Sequence, residues 1–237
     1  MKSATILSGV FWITSTSIAA PFRNLDFQSP NISVLSIPRQ SGVYLVKDTI
    51  PGWQLQIGVQ IKQFMSYNGA CLSCPSAYLT GPEVPRRGDR FLFIMKTGDV
   101  TDAEVPISIY QTGEVPTTAR SIVFTGFPQM EFSEWHISLG GQQLRFQALG
   151  EADLFFTGGS VPGVSYGADV SGWAGKTAEL RFTAGPVPFG RDVAGALVDL
   201  RFSSTTVPAI PEPSTWALLG TGVAALAWHH RRGRRRG

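Results

Sequence analysis

The stretch WQLQIGVQIK, residues 53–62, alternates apolar and polar side chains over almost its whole length. Its apolar residues stand at every second position, and they are Trp53, Leu55, Ile57, Val59 and Ile61. Because successive side chains of a β-strand point to opposite faces, this period of two predicts a strand that is buried on one face and solvated on the other. All five apolar side chains are expected to point into the core.

The same period recurs in other parts of the chain. Val105, Ile107 and Ile109 alternate with other residue types over 105–110, and apolar residues alternate with polar ones over 135–139. The tripeptide Leu-Arg-Phe occurs three times, at 144–146, 180–182 and 200–202. Each copy predicts a strand whose arginine faces solvent while its two apolar neighbours face the core.

Short segments that contain glycine or proline separate these runs and predict turns. They stand at Pro51-Gly52, Arg87-Gly88-Asp89, Gly140-Gly141, Gly158-Gly159 and Pro162-Gly163. Many short strands joined by such turns predict an all-β fold, a single antiparallel β-sandwich over residues 20–204.

The composition agrees with such a fold. Glycine and proline make up about 18% of the chain against a usual ~12%, and charged residues only 16% against a usual ~25%. These proportions exclude a helical bundle, a coiled coil and a highly charged disordered chain. The hydrophobic share of 43% is enough to bury a core.

The net charge of +3 and the pI near 9.0 come from the two ends of the chain. Lys2 and five arginines within 231–236 account for six of the 20 basic residues, which leaves 14 against 17 acidic ones. A body with more acidic than basic residues offers no basic face to phosphates, so nucleic acid is excluded as a partner.

The first 19 residues have the order of a secretory signal peptide. Lys2 gives a positive start, an apolar stretch follows, and Ser17 and Ala19 place small residues before a cleavage site after Ala19. The segment 1–19 is therefore predicted to direct export through the Sec machinery and to be removed by signal peptidase.

The C-terminal region has three parts. A proline-rich linker, 205–213, ends in Pro211-Glu212-Pro213, and its prolines keep it extended and out of a central strand. An uncharged apolar run then extends from Trp216 to Trp228. Five arginines follow, namely Arg231, Arg232, Arg234, Arg235 and Arg236. Tryptophans at the membrane boundaries and arginines on the cytoplasmic side predict that 214–237 forms a short transmembrane helix with a basic tail.

This order of motif, short span and basic end closely resembles the PEP-CTERM sorting signal of Gram-negative bacteria, here residues 211–237. In that family an exosortase, a membrane-embedded cysteine transpeptidase, is taken to cut near the motif and pass the body on. Such proteins accompany exopolysaccharide production and biofilm formation. The resemblance implies a precursor exported across the inner membrane, anchored there by its tail, and then moved to the cell surface or extracellular matrix. A plain membrane anchor without processing would show the same hydropathy and charge.

The body resembles a recurrent type of PEP-CTERM protein. The similar segments are Asn24–Gln28, Ile50–Trp53, Tyr166–Val170, Ala174–Phe182 and Leu197–Phe202. Such bodies look like galactose-binding-type jelly rolls, so the resemblance implies a jelly-roll-like β-sandwich and carbohydrate binding.

Related jelly rolls often hold a structural calcium between their first and last strands. Here Gln28 stands where the family has a glutamate, while Asp199 matches the family's aspartate. A hard cation depends on ligand charge, so the missing carboxylate weakens the site, and Asp26 could replace it only with a shifted geometry. We expect no bound metal and no cofactor.

Binding to an exopolysaccharide would use exposed aromatic rings that stack on sugars. Trp53 and Trp135 fall on apolar strand faces and are expected in the core. Trp173 and Tyr67 fall in predicted loops and are the candidate glycan-binding residues. Packing in the core or in a turn is the alternative for each of them.

Cys71 and Cys74 have the spacing of a redox motif but lie in a loop rich in serine, glycine and proline. A thioredoxin-like site would need a helix in a βαβ unit. Zinc would need two ligands in addition to the two cysteines, and His136 is the body's only histidine. A local disulfide is the prediction for an exported chain.

The sequence predicts no catalytic residues, since residues 158–162 fail the pattern of a serine-hydrolase nucleophile. Glu131, Glu134 and Asp153 could serve a glycosidase only if the fold brought two of them together. The prediction is a noncatalytic, exported surface or matrix protein that binds exopolysaccharide. The alternative is a glycoside hydrolase-like enzyme anchored permanently in the inner membrane.

Overall fold

The computed structural model describes residues 20–35, 42–69, 76–82, 89–97, 105–127, 135–156, 159–185 and 193–208. Three predicted features lie outside these residues: the signal peptide 1–19, the pair Cys71 and Cys74, and the tail from residue 209 onward.

Within the described residues the chain forms fourteen strands and very little helix. The strands are β1 (Gly42–Leu45), β2 (Gln54–Ile57), β3 (Gln60–Lys62), β4 (Phe64–Tyr67), β5 (Ser76–Thr80), β6 (Leu92–Thr97), β7 (Ile107–Glu114), β8 (Ser121–Gly126), β9 (Trp135–Leu139), β10 (Gln142–Gln143), β11 (Gln147–Phe156), β12 (Gly159–Asp169), β13 (Thr177–Ala184) and β14 (Val193–Ser203). The helices are single turns, namely α1 (Ile32–Leu35), α2 (Val46–Thr49) and a 3-10 turn, η1 (Ser171–Trp173). In this described part of the chain, no helix has the length and apolar character needed to cross a membrane.

The strands form two sheets, as expected for an all-β sandwich. The eight-stranded sheet has the order β1-β4-β5-β6-β14-β8-β12-β11, and the six-stranded sheet has the order β10-β9-β13-β7-β2-β3. Neighbouring strands are antiparallel, except that β4 and β5 are parallel. The all-β, two-sheet prediction is confirmed at this level, and the jelly-roll topology stays a prediction.

The last strand, β14, connects the two halves of the eight-stranded sheet. Its first part, 193–197, pairs with β6, and its last residues pair with β8 after a β-bulge at Asp199 and Leu200. Asp199 has a φ of 53°, a left-handed conformation that aspartate adopts more readily than most residues. Asp199 at this bulge and Phe22, near the first described residue, line the same pocket.

The main core lies between the two sheets. Its largest aromatic members include Phe27, Phe93, Phe124, Phe182 and Trp135. A Cβ on Gly195 of β14 would lie 1.9 Å from Cζ2 of Trp135, so only glycine allows this close approach of strand and indole. Trp53 is buried in the same core, which confirms the core prediction for Trp53 and Trp135.

A second apolar cluster lies on the outer face of the eight-stranded sheet. Its buried members are Leu92, Ile94, Leu154, Ala196 and Val198. The intervening residues of β6 point into the main core, so this strand is buried on both faces. The β11–β12 hairpin covers this cluster. β12 pairs with β8 only from Val164 onward, so the end of the hairpin before Val164 extends past β8 and packs over β6 and β14.

The outer face of the six-stranded sheet is polar. Arg181 of β13 lies over the ring of Tyr110 on β7, with its Cζ 4.0 Å from the ring centroid. The same guanidinium donates to the Glu179 carboxylate at 2.8 Å and to Gln56 Oε1 at 3.1 Å. Along β13 the inward positions are buried and the outward ones are not, as the period of two predicts.

The stretch 53–62 is not one strand. β2 ends at Ile57, the chain turns at Gly58 and Val59, and β3 pairs back on β2. Val59 is 94% exposed and Ile61 is 63% exposed, so the prediction that both point into the core is wrong. Gly58 adopts a φ of 58°, which allows the reversal although the alternation of side chains continues through it.

Two other local predictions are wrong. The segment 144–146 lies in the loop between β10 and β11, although Leu144 is buried and Arg145 exposed as expected. Pro162 and Gly163 lie inside β12 rather than in a turn. At Pro162 the strand pairs with β11 alone, and a strand with one neighbour tolerates a missing N–H.

The chain leaves β14 as a strap, residues 204–208, that lies against β8, β12 and β11. Ser121 Oγ donates to the Thr205 carbonyl at 2.7 Å, and Gln147 Nε2 donates to the Pro208 carbonyl at 2.6 Å. Between these bonds, Val207 Cγ2 is 2.9 Å from where a Cβ on Gly167 would lie. The first part of the predicted linker is therefore docked on the body.

Candidate functional site

The opening segment of the body forms a tight turn beside β14. The Phe27 N–H donates to the Asn24 carbonyl at 3.2 Å, and the Ser29 N–H donates to Asn24 Oδ1 at 2.8 Å. Asn24 and Phe27 have positive φ angles of 47° and 62°. Asparagine tolerates this conformation, whereas Phe27 is held in it by its fully buried ring, which stacks on Trp53 and Phe93.

Gln28 links this turn by hydrogen bonds to Phe91, the residue before β6. Its Nε2 donates to the carbonyls of Phe91 at 2.7 Å and Asp26 at 2.8 Å, and its Oε1 accepts from the Phe91 N–H at 2.8 Å. A carboxylate could accept but not donate, so glutamine suits this position better than glutamate. Among the described residues, no group of three or more His, Cys, Asp or Glu is placed to hold a metal ion.

A pocket of about 460 Å³ lies between this turn and the bulge of β14. Its volume falls in the usual range of small-molecule sites, about 300–1,000 Å³. The residues that line it include Phe22, Asn24, Asp26, Asp199, Arg201 and Phe202. We call it the junction pocket, because the first and last segments of the body meet there.

Part of the junction pocket is aromatic. The ring centroids of Phe22 and Phe202 are 5.3 Å apart and the ring planes are tilted by 46°. Phe22 rests on Gly113, where a Cβ would lie 2.9 Å from Cγ of the ring. Both phenylalanines are half-buried, so part of their surface stays accessible.

The rest of the pocket presents carboxylates, a guanidinium and an amide. Asp26 and Asp199 are half-buried, and Arg201 Nη1 donates to the Asp199 carbonyl at 3.2 Å. Asp26 Oδ1 accepts from the Gln28 N–H at 3.1 Å. Asn24 Nδ2 is buried and has no hydrogen-bond partner in the described part of the chain. Such an unsatisfied donor costs about 1–3 kcal/mol.

A smaller pocket, of about 260 Å³, adjoins the junction pocket, and Asp199 lines both. Its other lining residues are Gln28, Asp89, Arg90 and Val198. The β-bulge therefore places the Asp199 side chain between two neighbouring depressions.

Trp173 is half-buried in η1, where Asp169 Oδ1 accepts the Ser171 N–H at 2.8 Å. This hydrogen bond holds the pKa of the Asp169 carboxyl below its usual value. A Cβ on Gly140 would lie 2.1 Å from Cη2 of Trp173, so the edge of the indole rests on the β9–β10 turn. Lys176 Nζ lies 5.8 Å from the ring centroid. Trp173 is thus a partly exposed ring with the Lys176 ammonium over it.

Tyr67 lies at the end of β4 and is 1% exposed, so its predicted placement in a surface loop is wrong. Its hydroxyl donates to the Pro82 carbonyl. Burial raises the pKa of Tyr67 to about 12. The ring packs edge-on against Tyr44 and offers no open face for stacking on a sugar.

The carboxylates considered for a glycosidase are not assembled by the described part of the structure. Asp153 is exposed on β11, while Glu131 and Glu134 lie outside the described residues. His136 is exposed on β9, where its Nδ1 is 3.2 Å from Gln143 Nε2.

No curated protein and no solved structure gives a significant match to the chain. A family model described as the PEP-CTERM protein-sorting motif matches residues 209–232. The chain carries a PEP-CTERM sorting signal. The prediction of a PEP-CTERM sorting signal in the C-terminal residues is confirmed. The signal implies an exported precursor that passes the membrane, is processed by an exosortase and ends up on the cell surface.

The PEP-CTERM signal begins where the strap ends. Gln147 holds the carbonyl of Pro208, and Pro211 follows three residues later. Three extended residues reach at most about 11 Å. The matched motif therefore follows directly on a segment that is docked on β11, an edge strand of the eight-stranded sheet.

Sequence reasoning finds only part of the junction pocket. It reaches Asp26 and Asp199 through the calcium site of similar PEP-CTERM bodies, but it misses Phe22 and Phe202. The Leu-Arg-Phe pattern at 200–202 correctly places Arg201 outside the core, as the structure has it. Nothing local signals that Phe22 meets Phe202, because this contact depends on the first and last segments lying side by side.

Proposed function

We propose that this protein is a noncatalytic component of the bacterial cell surface or extracellular matrix, and that its β-sandwich body binds exopolysaccharide. The match of residues 209–232 to the PEP-CTERM motif carries the export and surface part of the proposal. In this scheme, 1–19 is a signal peptide and 214–237 anchors the precursor in the inner membrane. Exosortase then cuts near Pro211–Pro213 and the body moves to the surface.

The proposed anchor is short and strongly held on one side. The 13 residues from Trp216 to Trp228 would span ~20 Å as a helix, less than the ~30 Å hydrocarbon core. Anionic lipid attracts each nearby arginine by about 1 kcal/mol, which would hold the C-terminus at the cytoplasmic face. A short span with this hold suits a transient anchor better than a permanent one.

The experiment that tests this scheme replaces Pro211, Glu212 and Pro213 by alanines in the full-length precursor. Export should remain intact while release is blocked, because the exosortase loses its recognition motif. The variant should accumulate in the inner membrane with its terminal arginines attached. Mass spectrometry of the membrane and surface fractions measures both the processing sites and the destination.

The matched control replaces Ser204, Thr205 and Thr206, three exposed strap residues, by alanines. Only the backbone carbonyl of Thr205 takes part in the Ser121 hydrogen bond, so docking should persist and processing should equal that of the wild type. If the triple-alanine motif variant is released like the wild type, the motif is not a recognition element. Retention of both the wild type and the variant in the inner membrane, with their arginines attached, would instead make the tail a plain membrane anchor and favour the anchored alternative.

The glycan-binding part of the proposal draws on Trp173. Its ring is partly exposed and the Lys176 ammonium lies over it, a combination that suits a sugar bearing hydroxyls or a carboxylate. Trp173→Ala should weaken binding of the released protein to the polysaccharide of its own matrix. Phe64→Ala, which removes a 55% exposed ring on β4, is the control and should leave binding unchanged. Equal binding by both variants and the wild type would remove Trp173 from the proposal.

A further inference from the structure

We propose that the junction pocket binds one neutral hexose unit of an exopolysaccharide. This inference rests on the proposed function of the body in glycan binding and names the site and the ligand class. The PEP-CTERM signal itself says nothing of a ligand. Six of the residues that line the pocket bear on its chemistry, namely Phe22, Asn24, Asp26, Asp199, Arg201 and Phe202.

The shape and the aromatic part of the pocket suit a pyranose ring. Sugars have an apolar face of C–H groups and a rim of hydroxyls, so their sites combine aromatic surface with a few convergent polar groups. Phe22 and Phe202 supply half-buried rings within 5.3 Å of each other. The volume of about 460 Å³ is enough for a small ligand, whereas a single ion would leave most of it empty.

The polar groups match hydroxyls in both directions. Asp26 and Asp199 can only accept hydrogen bonds when ionised, and sugar hydroxyls donate. Arg201 can donate to a hydroxyl or ring oxygen, since it has five N–H groups and Nη1 uses one on the Asp199 carbonyl. Asn24 also lines the pocket, although its Nδ2 is buried and out of reach of a ligand.

The charge of the pocket selects a neutral ligand. Two carboxylates face one guanidinium, so a uronate or another anionic sugar would meet net repulsion from Asp26 and Asp199. A neutral hexose brings only hydroxyl dipoles and avoids that repulsion. This distinguishes the junction pocket from the Trp173 loop, where Lys176 would favour an acidic sugar.

The neighbouring pocket gives a place for a second sugar unit of the same polymer. Asp199 lines both depressions, so a second sugar unit next to the first would still contact the β-bulge. The left-handed backbone of Asp199, with φ at 53°, places this shared side chain. Strained or sparsely populated conformations of this kind concentrate at binding sites.

The test uses the mature protein recovered from the cell surface. The probes are neutral gluco-, galacto- and manno-oligosaccharides and, as the acidic comparison, an oligogalacturonate. Binding is measured by isothermal titration calorimetry and by saturation-transfer NMR. At least one neutral probe should bind the wild type, and Asp199→Asn and Phe202→Leu should each weaken that binding about tenfold or more.

These variants limit structural damage. Asparagine keeps the tolerance of position 199 for the left-handed conformation, and leucine keeps the apolar volume at position 202 while removing the ring. The matched controls are Asp153→Asn on β11 and Phe64→Leu on β4, both at exposed positions, and both should bind like the wild type. Thermal unfolding of every variant separates lost binding from lost folding.

Each other outcome has a definite meaning. If both pocket variants bind like the wild type while Trp173→Ala loses binding, the junction pocket is not the binding site. The protein would then still bind glycan, at Trp173. Tighter binding of the oligogalacturonate than of any neutral probe overturns the ligand class. If the wild type binds none of the probes and does not bind the polysaccharide of the producing cells, glycan binding fails altogether.

Discussion

The two outer faces of the sandwich differ in what covers them. On the eight-stranded sheet, Ile94 and Val198 point outward and are buried beneath the β11–β12 hairpin, which contributes Leu154. On the six-stranded sheet, Tyr110 and Arg181 point outward and remain partly exposed. One face thus carries a second small core, and the other is a polar surface held by a cation–π contact and an ion pair.

This difference shows how the pattern of residues along a strand depends on whether one or both of its faces are buried. β13 alternates strictly between buried and half-buried positions, apart from its exposed first residue. β8 is buried at every position, and β6 is apolar from Leu92 to Met95. Continuous apolar runs are expected where both faces of a strand are covered, and here a folded-over hairpin with the strap does the covering.

The largest expected effect tests the covered face. Leu154→Ala removes a fully buried side chain from the second cluster and should lower the free energy of unfolding by about 2–5 kcal/mol. Urea unfolding of the mature protein measures the change. Leu149→Ala, on the same strand at a position 43% exposed, is the matched control and should cost less than about 1 kcal/mol. Equal effects of the two substitutions would mean that the hairpin does not pack on the sheet.

A pH series provides the next comparison. Desolvation raises the pKa of Tyr78, which packs against the covered outer cluster. It also raises the pKa of Tyr67, in the main core, from the ordinary 10.0 to about 12. A raised phenol pKa means that the folded state favours the neutral form. Its stabilisation is complete below pH 10 and is lost as the pH rises toward 12.

The loss attributable to Tyr67 should reach about 2–3 kcal/mol near pH 12. Urea unfolding across this range and the ultraviolet absorbance of tyrosinate give the two readouts. Tyr67→Phe should flatten the alkaline decline, at the expense of the hydrogen bond to Pro82. A wild-type protein in which Tyr67 ionises near pH 10 without loss of stability would contradict the burial of this tyrosine.

The smallest expected effect tests the open face. Arg181→Ala removes the contact with Tyr110 and the ion pair with Glu179, and should cost about 1 kcal/mol or less because the site is partly solvated. Arg145→Ala, at an exposed loop position, is the control and should change stability by no more than about 0.5 kcal/mol. A loss from Arg181→Ala as large as that from Leu154→Ala would erase the distinction between the two faces.

Local patterns were enough for much of the fold. The alternation over 135–139 and 180–182 correctly identifies strands with one buried face. It fails at 53–62, because alternation persists through a hairpin and cannot reveal where the chain reverses. It also misplaces Tyr67, since a tyrosine beside asparagine and glycine looks like a loop residue until the sheet encloses it.

The sequence by itself determined the all-β class and the sorting signal, because both are written in contiguous residues: a period of two in the body, and a motif with an apolar run and arginines at the end. Only the tertiary structure decided which outer face is covered, where the strap docks and how the junction pocket forms. Phe22 and Phe202 stand at opposite ends of the body sequence, yet their rings are 5.3 Å apart. Contacts of that separation follow from the order of strands in the sheets, which no local pattern of side chains specifies.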